Sequence, residues 1–250
     1  MKEYYLPGKK TKSSLWPAHG GTAKKILLAV SLLFIFFLVW VVFVYGINSF
    51  DRKTFSLVTP HITESRTRIM RFISFLGKHS FLIPVIFSLI AWFLIKKNKW
   101  MAIRTATVLL SSLLVMTVLK SLIQRQRPPD PLVDGITNYS FPSGHAFMSF
   151  TFFGMLIYIV YREVKNIWLK WILIFILAII ILLIGLSRVY LRVHFASDVI
   201  AGFCFGVLSL VILLWMLRQI EKFNAKKIPA NLNVTKTGED VPVALPTGSS

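Results

Sequence analysis

The chain has 250 residues, of which 55% are hydrophobic and only 16% charged, a balance that excludes an ordinary water-soluble domain. Its formal net charge of +19 suits a chain that lies against anionic lipid and handles an anionic substrate. A nucleic-acid binder would share that charge but would not set it between apolar runs such as residues 26–47 and 199–217, each long enough to cross roughly 30 Å of hydrocarbon.

The predicted fold is all-α, a polytopic bundle of six transmembrane helices. A basic segment, residues 1–25, precedes a six-span domain over residues 26–218. The first span, about 26–47, is longer than the roughly 7–15 apolar residues of a cleavable signal. In the outer connection that follows, 48–80, Ile62, Ile69, Ile73 and Leu76 recur at near-helical spacing while Glu64, Ser65, Arg66 and Arg68 take other faces. That pattern fits an interfacial helix or a plain membrane-proximal loop. The second span, about 80–95, is short and carries Pro84 near its start, where a first helical turn tolerates proline. Further spans are predicted at about 104–123, 146–161, 168–186 and 199–217. Cys204 lies in the last of them and is the single cysteine, so the chain forms no internal disulfide. Residues 219–250 read as a cytoplasmic, disordered tail.

Lys and Arg divide unevenly between the two sides: 18 fall with the termini and 11 on the opposite side. Both termini are therefore expected in the cytoplasm, with Trp16, Trp100 and Trp168 near that boundary, and the outer connections in the periplasm or extracellular space.

Three clusters of polar residues crowd the outer ends of the spans. Lys120 and Arg127, the latter followed by Pro128, lie seven residues apart, so two helical turns would put both cations on nearly one face. Pro142, Ser143, Gly144 and His145 precede the fourth span. A proline break, a glycine and a helix start with unpaired N–H donors make an anion cradle with a histidine beside it. Ser187, Arg188, His194 and Asp198 lie between the fifth and sixth spans. The spacing of four lets the Asp198 carboxylate accept the His194 imidazole N–H across one helical turn and leave the other ring nitrogen exposed.

Each cluster taken singly has a plainer reading. The cations fit snorkelling to headgroups, the Pro-Ser-Gly-His run fits a turn with an N-cap, and the His194–Asp198 pair fits a structural hydrogen bond. Topology joins them, because the hairpin between His145 and Ser187 puts the second and third clusters on one side, and a short loop ties the first to the second. Together they hold three cations, a donor-rich turn and two histidines, which is the inventory for binding a tetrahedral dianion and displacing its leaving group.

The segments Lys120-x6-Arg127-Pro128, Pro142-Ser143-Gly144-His145 and Ser187-Arg188-x5-His194-x3-Asp198 resemble the three-part signature of the type-2 phosphatidic acid phosphatase superfamily, which includes bacterial acid phosphatases and vanadium haloperoxidases. Every motif position matches, and the six-span layout resembles the superfamily's integral-membrane lipid phosphatases. The resemblance implies His194 as nucleophile, Asp198 as the group that holds its ring, and His145 as general acid and base. It implies Lys120, Arg127, Ser143, Gly144 and Arg188 as phosphate-binding positions, and no metal or other cofactor. The implied partner is a lipid phosphate, among which phosphatidylglycerol phosphate, phosphatidic acid and undecaprenyl diphosphate fit equally. A lipid phosphotransferase would use the same residues. A transporter is disfavoured, since the charges sit at one end with nothing comparable at the membrane midplane.

Overall fold

Helices dominate the computed structural model, which describes residues 49–136 and 138–227. The predicted first span and the N-terminal segment lie outside the described residues, as does the tail from residue 228. Seven α-helices follow in order: α1 Ser49–Val58, α2 Glu64–Phe75, α3 His79–Ile95, α4 Lys99–Ile123, α5 Gly144–Glu163, α6 Ile167–Tyr190 and α7 Ala196–Lys227. A 3-10 turn, Thr59–His61, separates α1 from α2. Five segments among the described residues are long and apolar enough to cross a membrane: α2 run together with α3, then α4, α5, α6, and α7 as far as Glu221. They match the later five predicted spans.

Short polar side chains start these helices where the apolar runs begin. Asn98 accepts from the Met101 N–H at α4, Asn166 from Leu169 at α6 and Ser143 from Ala146 at α5, each satisfying an amide that the helix itself leaves unpaired. At its other end α4 stops on Gln124, which takes the left-handed conformation with φ 48°.

The bundle is built round α5, whose Phe147, Phe152, Met155 and Ile159 are buried among α4, α6 and α7. Close approach of α5 to α7 depends on Gly202 and Gly206. A Cβ on Gly202 would lie 2.8 Å from the Ser143 carbonyl oxygen, and one on Gly206 would lie 2.9 Å from the Phe150 Cβ. In lipid, where apolar surfaces gain nothing by leaving the solvent, this small-residue spacing is what lets two helices touch along their backbones. Leu110, Leu114, Phe175 and Leu182 stay on the outside, as lipid-facing side chains must.

Three details depart from the sequence reading. Residues 219–227, expected from their composition to be a disordered tail, continue α7, and Glu221 there forms an ion pair with the buried Arg104 of α4. That pair ties the helix end to the bundle, so the last helix outlasts its apolar run. Pro84 is not in a first turn: α3 begins at His79, which places the proline inside the helix and removes one backbone bond. The outer connection does form a helix, α2, but Ile69 points outward. Thr67, Met70, Ile73 and Ser74 turn toward the protein instead, because α2 packs on the end of α6, where Tyr190 donates its hydroxyl to the His61 carbonyl oxygen at 3.2 Å.

Candidate active site

All three motif segments arrive at one end of the bundle: the end of α4, the start of α5, and the turn from α6 into α7. They enclose a cavity of about 580 Å³ whose lining includes Lys120, Arg127, Gly144, His145, Arg188 and His194. Ser143 and Asp198 stand just behind it, fully buried.

The turn that carries His194 is held by the end of α6. The Arg188 carbonyl oxygen accepts from the backbone N–H groups of both Val193 and His194. One residue therefore presents a guanidinium to the cavity and anchors the histidine turn with its backbone. At the start of α7 the Asp198 Oδ2 reaches back to the Phe195 N–H at 2.9 Å, the reciprocal half of a capping box. The Asp198 carbonyl oxygen accepts from the Ser143 N–H at 3.0 Å, which locks the second motif to the third.

His194 and Asp198 are adjacent, but not in the way the spacing suggests. His194 precedes α7, and its Nδ1 lies 3.7 Å from the Asp198 Oδ2. Ser140 stands between them: its hydroxyl donates to Asp198 Oδ2 at 2.5 Å and lies 3.4 Å from His194 Nδ1. The other ring nitrogen, Nε2, is 3.3 Å from the Arg127 Nη1 and belongs to the cavity wall.

Arg127 and Lys120 do not share a helix face, because α4 ends before Arg127. The arginine comes from the loop, braced by bonds to the Asn138 carbonyl oxygen at 2.6 Å, the Val193 carbonyl oxygen at 2.5 Å and the Asn138 Oδ1. Lys120 Nζ donates to the Tyr139 carbonyl oxygen at 2.7 Å, so both cations grip one loop while facing the cavity. Neither snorkels. Arg188 donates to the Ser74 hydroxyl of α2, which makes the outer connection part of the site.

Gly144 allows this convergence. A Cβ there would come within 2.7 Å of the Met116 Sδ on α4 and would push that side chain aside, so glycine lets the start of α5 sit beside Lys120 with Met116 in place. The Ser143 hydroxyl oxygen is spent on capping α5 and stands behind the cavity wall, less directly placed than its motif position suggested.

Several neighbours were not legible in the motifs: Ser140, Asn138, Ser74, Arg125 and Asp51. Arg125 lies two residues before Arg127 yet turns the other way, donating to Asp198 Oδ1 at 2.5 Å, Ser197 Oγ at 2.8 Å and Asp51 Oδ2 at 2.8 Å. The one available signal was Asp51 itself, a carboxylate just past the first apolar run in a chain with only 10 acidic residues.

Burial pushes His194 down to about 4, against the opposing pull of the Asp198 carboxylate, and burial likewise lowers Arg127 to about 10. The neutral imidazole, which keeps one ring nitrogen unprotonated, is then the dominant form above about pH 4 and gives way to the cation only as pH falls through that value. Because an unfolded histidine titrates near 6.5, the same shift contributes stability that is complete above 6.5 and is lost as pH falls from there toward 4. The His194 ring, followed by its imidazole NMR shifts, is expected to keep its neutral form down to about pH 5. A half-loss near pH 6.5, as for an exposed histidine, would contradict this burial.

The PAP2 superfamily model matches residues 101–222. Phosphatidylglycerophosphatase B of Bacillus subtilis is 30% identical over 198 residues, covering 78% of this chain and 97% of that protein. A protein of Bacillus licheniformis named bacitracin transport permease protein BcrC is 26% identical over 191 residues, 64% of this chain and 89% of its own length. Among solved structures, a transmembrane PAP2-type phosphatidylglycerolphosphate phosphatase from Bacillus subtilis superposes with a TM-score of 0.71 at 27% identity, over 78% of this chain and 98% of that one. The matched stretch carries every motif residue from Lys120 to Asp198, and the likeness extends along nearly the whole of a relative 30% identical, so this chain belongs to the PAP2 superfamily and is an integral-membrane phosphatase.

Proposed function

We propose that the protein hydrolyses the phosphomonoester or diphosphate headgroup of a membrane lipid through a phosphohistidine at His194. The observation that carries this reading is the placement of His194 Nε2 on the wall of a cavity it shares with Lys120, Arg127 and Arg188. Nε2 attacks phosphorus in line, the N–P bond forms as the P–O bond to the lipid breaks, and His145 delivers the proton to the departing oxygen. His145 then takes a proton from water, which attacks phosphorus, breaks the N–P bond and frees phosphate. The three cations and the Gly144 N–H hold the equatorial oxygens as charge spreads over them. Asp198 and Ser140 keep the proton on Nδ1, which leaves Nε2 as the nucleophile.

Helices α2 and α4, which line the cavity through Phe75 and Met116, carry exposed apolar side chains such as Phe72 and Leu114, which suits a substrate whose chains remain in the bilayer. Phosphatidylglycerol phosphate is the leading candidate, since the Bacillus subtilis relative, in sequence and in structure, bears the name of that activity. Phosphate release from a panel that also holds phosphatidic acid and undecaprenyl diphosphate tests it, and a stronger preference for either of those would displace it.

Three cations supply the charge neutralisation that magnesium provides in many phosphoryl-transfer sites. Activity is expected to persist in EDTA. Vanadate, which adopts the trigonal-bipyramidal geometry of in-line displacement, is expected to inhibit. Loss of activity in EDTA with recovery on adding Mg²⁺ would show that the site needs a metal after all.

The site faces the periplasm or extracellular space and both termini the cytoplasm, on the reading of the cation asymmetry. Lys96 and Asp134 are exposed at opposite ends of α4. Cysteines placed there, in a Cys204→Ala background, are expected to react from opposite sides of intact cells, with Asp134→Cys open to an impermeant maleimide. Labelling of Lys96→Cys alone by that reagent would invert the topology.

A further inference from the structure

Asp198 has two carboxylate oxygens with different tasks. Oδ2 takes the Ser140 hydroxyl and the Phe195 N–H and is the oxygen nearest His194. Oδ1 accepts from Arg125. A carboxylate held at one oxygen can still swing about its Cβ–Cγ bond, whereas one held at both cannot. The plane of Asp198, and with it the direction in which Oδ2 and Ser140 meet the imidazole, is therefore set by where Arg125 stands.

Arg125 is itself fixed from three sides. Asp51 Oδ2 accepts from its Nη2, Ser197 Oγ from its Nη1, and its guanidinium lies 4.2 Å over the Phe195 ring. Asp51 is in turn bound to the start of α7 through the Ser197 N–H at 3.0 Å and the Ser197 hydroxyl at 2.7 Å. Arg125 is almost wholly buried and lines no part of the cavity, unlike Lys120 and Arg127 on either side of it in the chain. A planar fork of donors is the one side chain that can bond two carboxylates at once in a fixed geometry.

We infer that Arg125, anchored by Asp51 of α1, is a positioning residue for the reaction: it orients Asp198 and so holds the His194 ring for attack. The inference rests on the proposal that His194 is the nucleophile. It makes α1, which supplies no motif residue, part of the catalytic apparatus. Arg125 touches no substrate, so its loss should slow the covalent step and leave substrate binding in place.

The test is the rate of acid-labile labelling at His194 by a phosphorus-labelled aryl phosphate, using the full chain in detergent and the variants Arg125→Gln, Arg125→Lys and Asp198→Asn alone and in combination. Arg125→Gln is expected to slow labelling roughly 10- to 100-fold, as loss of a partner behind a reactive group does, with KM changed by less than about twofold. Arg125→Lys is expected to recover part of the loss. In the Asp198→Asn background Arg125→Gln should add less than about threefold, because the two act through one contact. Full additivity of the two losses, or labelling of Arg125→Gln at the wild-type rate, would overturn the inference. If Arg125→Gln leaves two buried carboxylates facing each other and fails to fold, the Asp51→Asn/Arg125→Gln pair removes both charges together and decides the same cycle. Wild-type enzyme that never labels on His194 would instead overturn the nucleophile assignment, and the inference with it.

Discussion

His194→Ala is expected to abolish covalent labelling and to lower turnover on every substrate by on the order of 10⁴-fold or more, since the proposed mechanism has His194 as its nucleophile and offers no neighbouring group in its place. His145→Ala should behave differently. On the proposed mechanism it removes the acid that protonates the departing oxygen, a contribution of roughly 10²- to 10⁴-fold on a lipid alkyl phosphate. An activated aryl phosphate leaves with little help, so the same variant should keep relatively more activity on that ester and still accumulate label on His194. The two histidines stand differently in the structure. His194 is fully buried with Nε2 against Arg127, whereas His145, in the first turn of α5, is half-buried and packs against Gly77 in the turn between α2 and α3. Asp198→Asn should fall between the two, keeping the shape of the turn but weakening control of the tautomer. Peptide mapping after labelling decides the assignment: label on His145 would exchange the roles.

Arg127→Lys is expected to cost about 10²- to 10³-fold in turnover although it preserves the charge. The guanidinium makes separate bonds to the Asn138 and Val193 carbonyl oxygens and to the Asn138 side chain while standing 3.3 Å from His194 Nε2. An ammonium cannot span those directions at once. The Asn138–Tyr139 loop would lose one of its two cationic braces, leaving Lys120 as the other. If charge alone mattered, Arg127→Lys would retain activity within about threefold of wild type, and the bracing account would fail.

Lys120, Arg127, Ser143, Gly144, His145, Arg188, His194 and Asp198 were all named from the linear sequence, and the structure gathers six of them on one cavity wall with the other two directly behind. They were legible because each motif is local: a proline ends a helix or a serine caps one within a few residues, whatever the rest of the chain does. The spans were legible for a related reason, since the length of an apolar run needs no partner to be read. What the local spacing implied about geometry was less secure. A seven-residue interval suggested one helix face for Lys120 and Arg127, but α4 stops at Ile123, and the loop alone sets where the arginine points. A four-residue interval suggested a direct His194–Asp198 bond within a helix, but the helix starts at Ala196, and Ser140 from another segment fills the gap.

The helical spans among the described residues and the identity of the motif residues follow from the sequence alone, since each is written in neighbours a few bonds apart. Only the tertiary structure decided that Arg125 turns inward to Asp51 and Asp198 while Arg127, two residues on, turns to the cavity. It also decided that α2 forms a wall of the site through Ser74, with Thr67 and Met70 rather than Ile69 turned inward. The physical reason is common to both. A buried charge or a half-apolar helix face takes the orientation that pairs it best, and the partners, 74 and 73 residues away for Arg125, are brought together only when the helices pack.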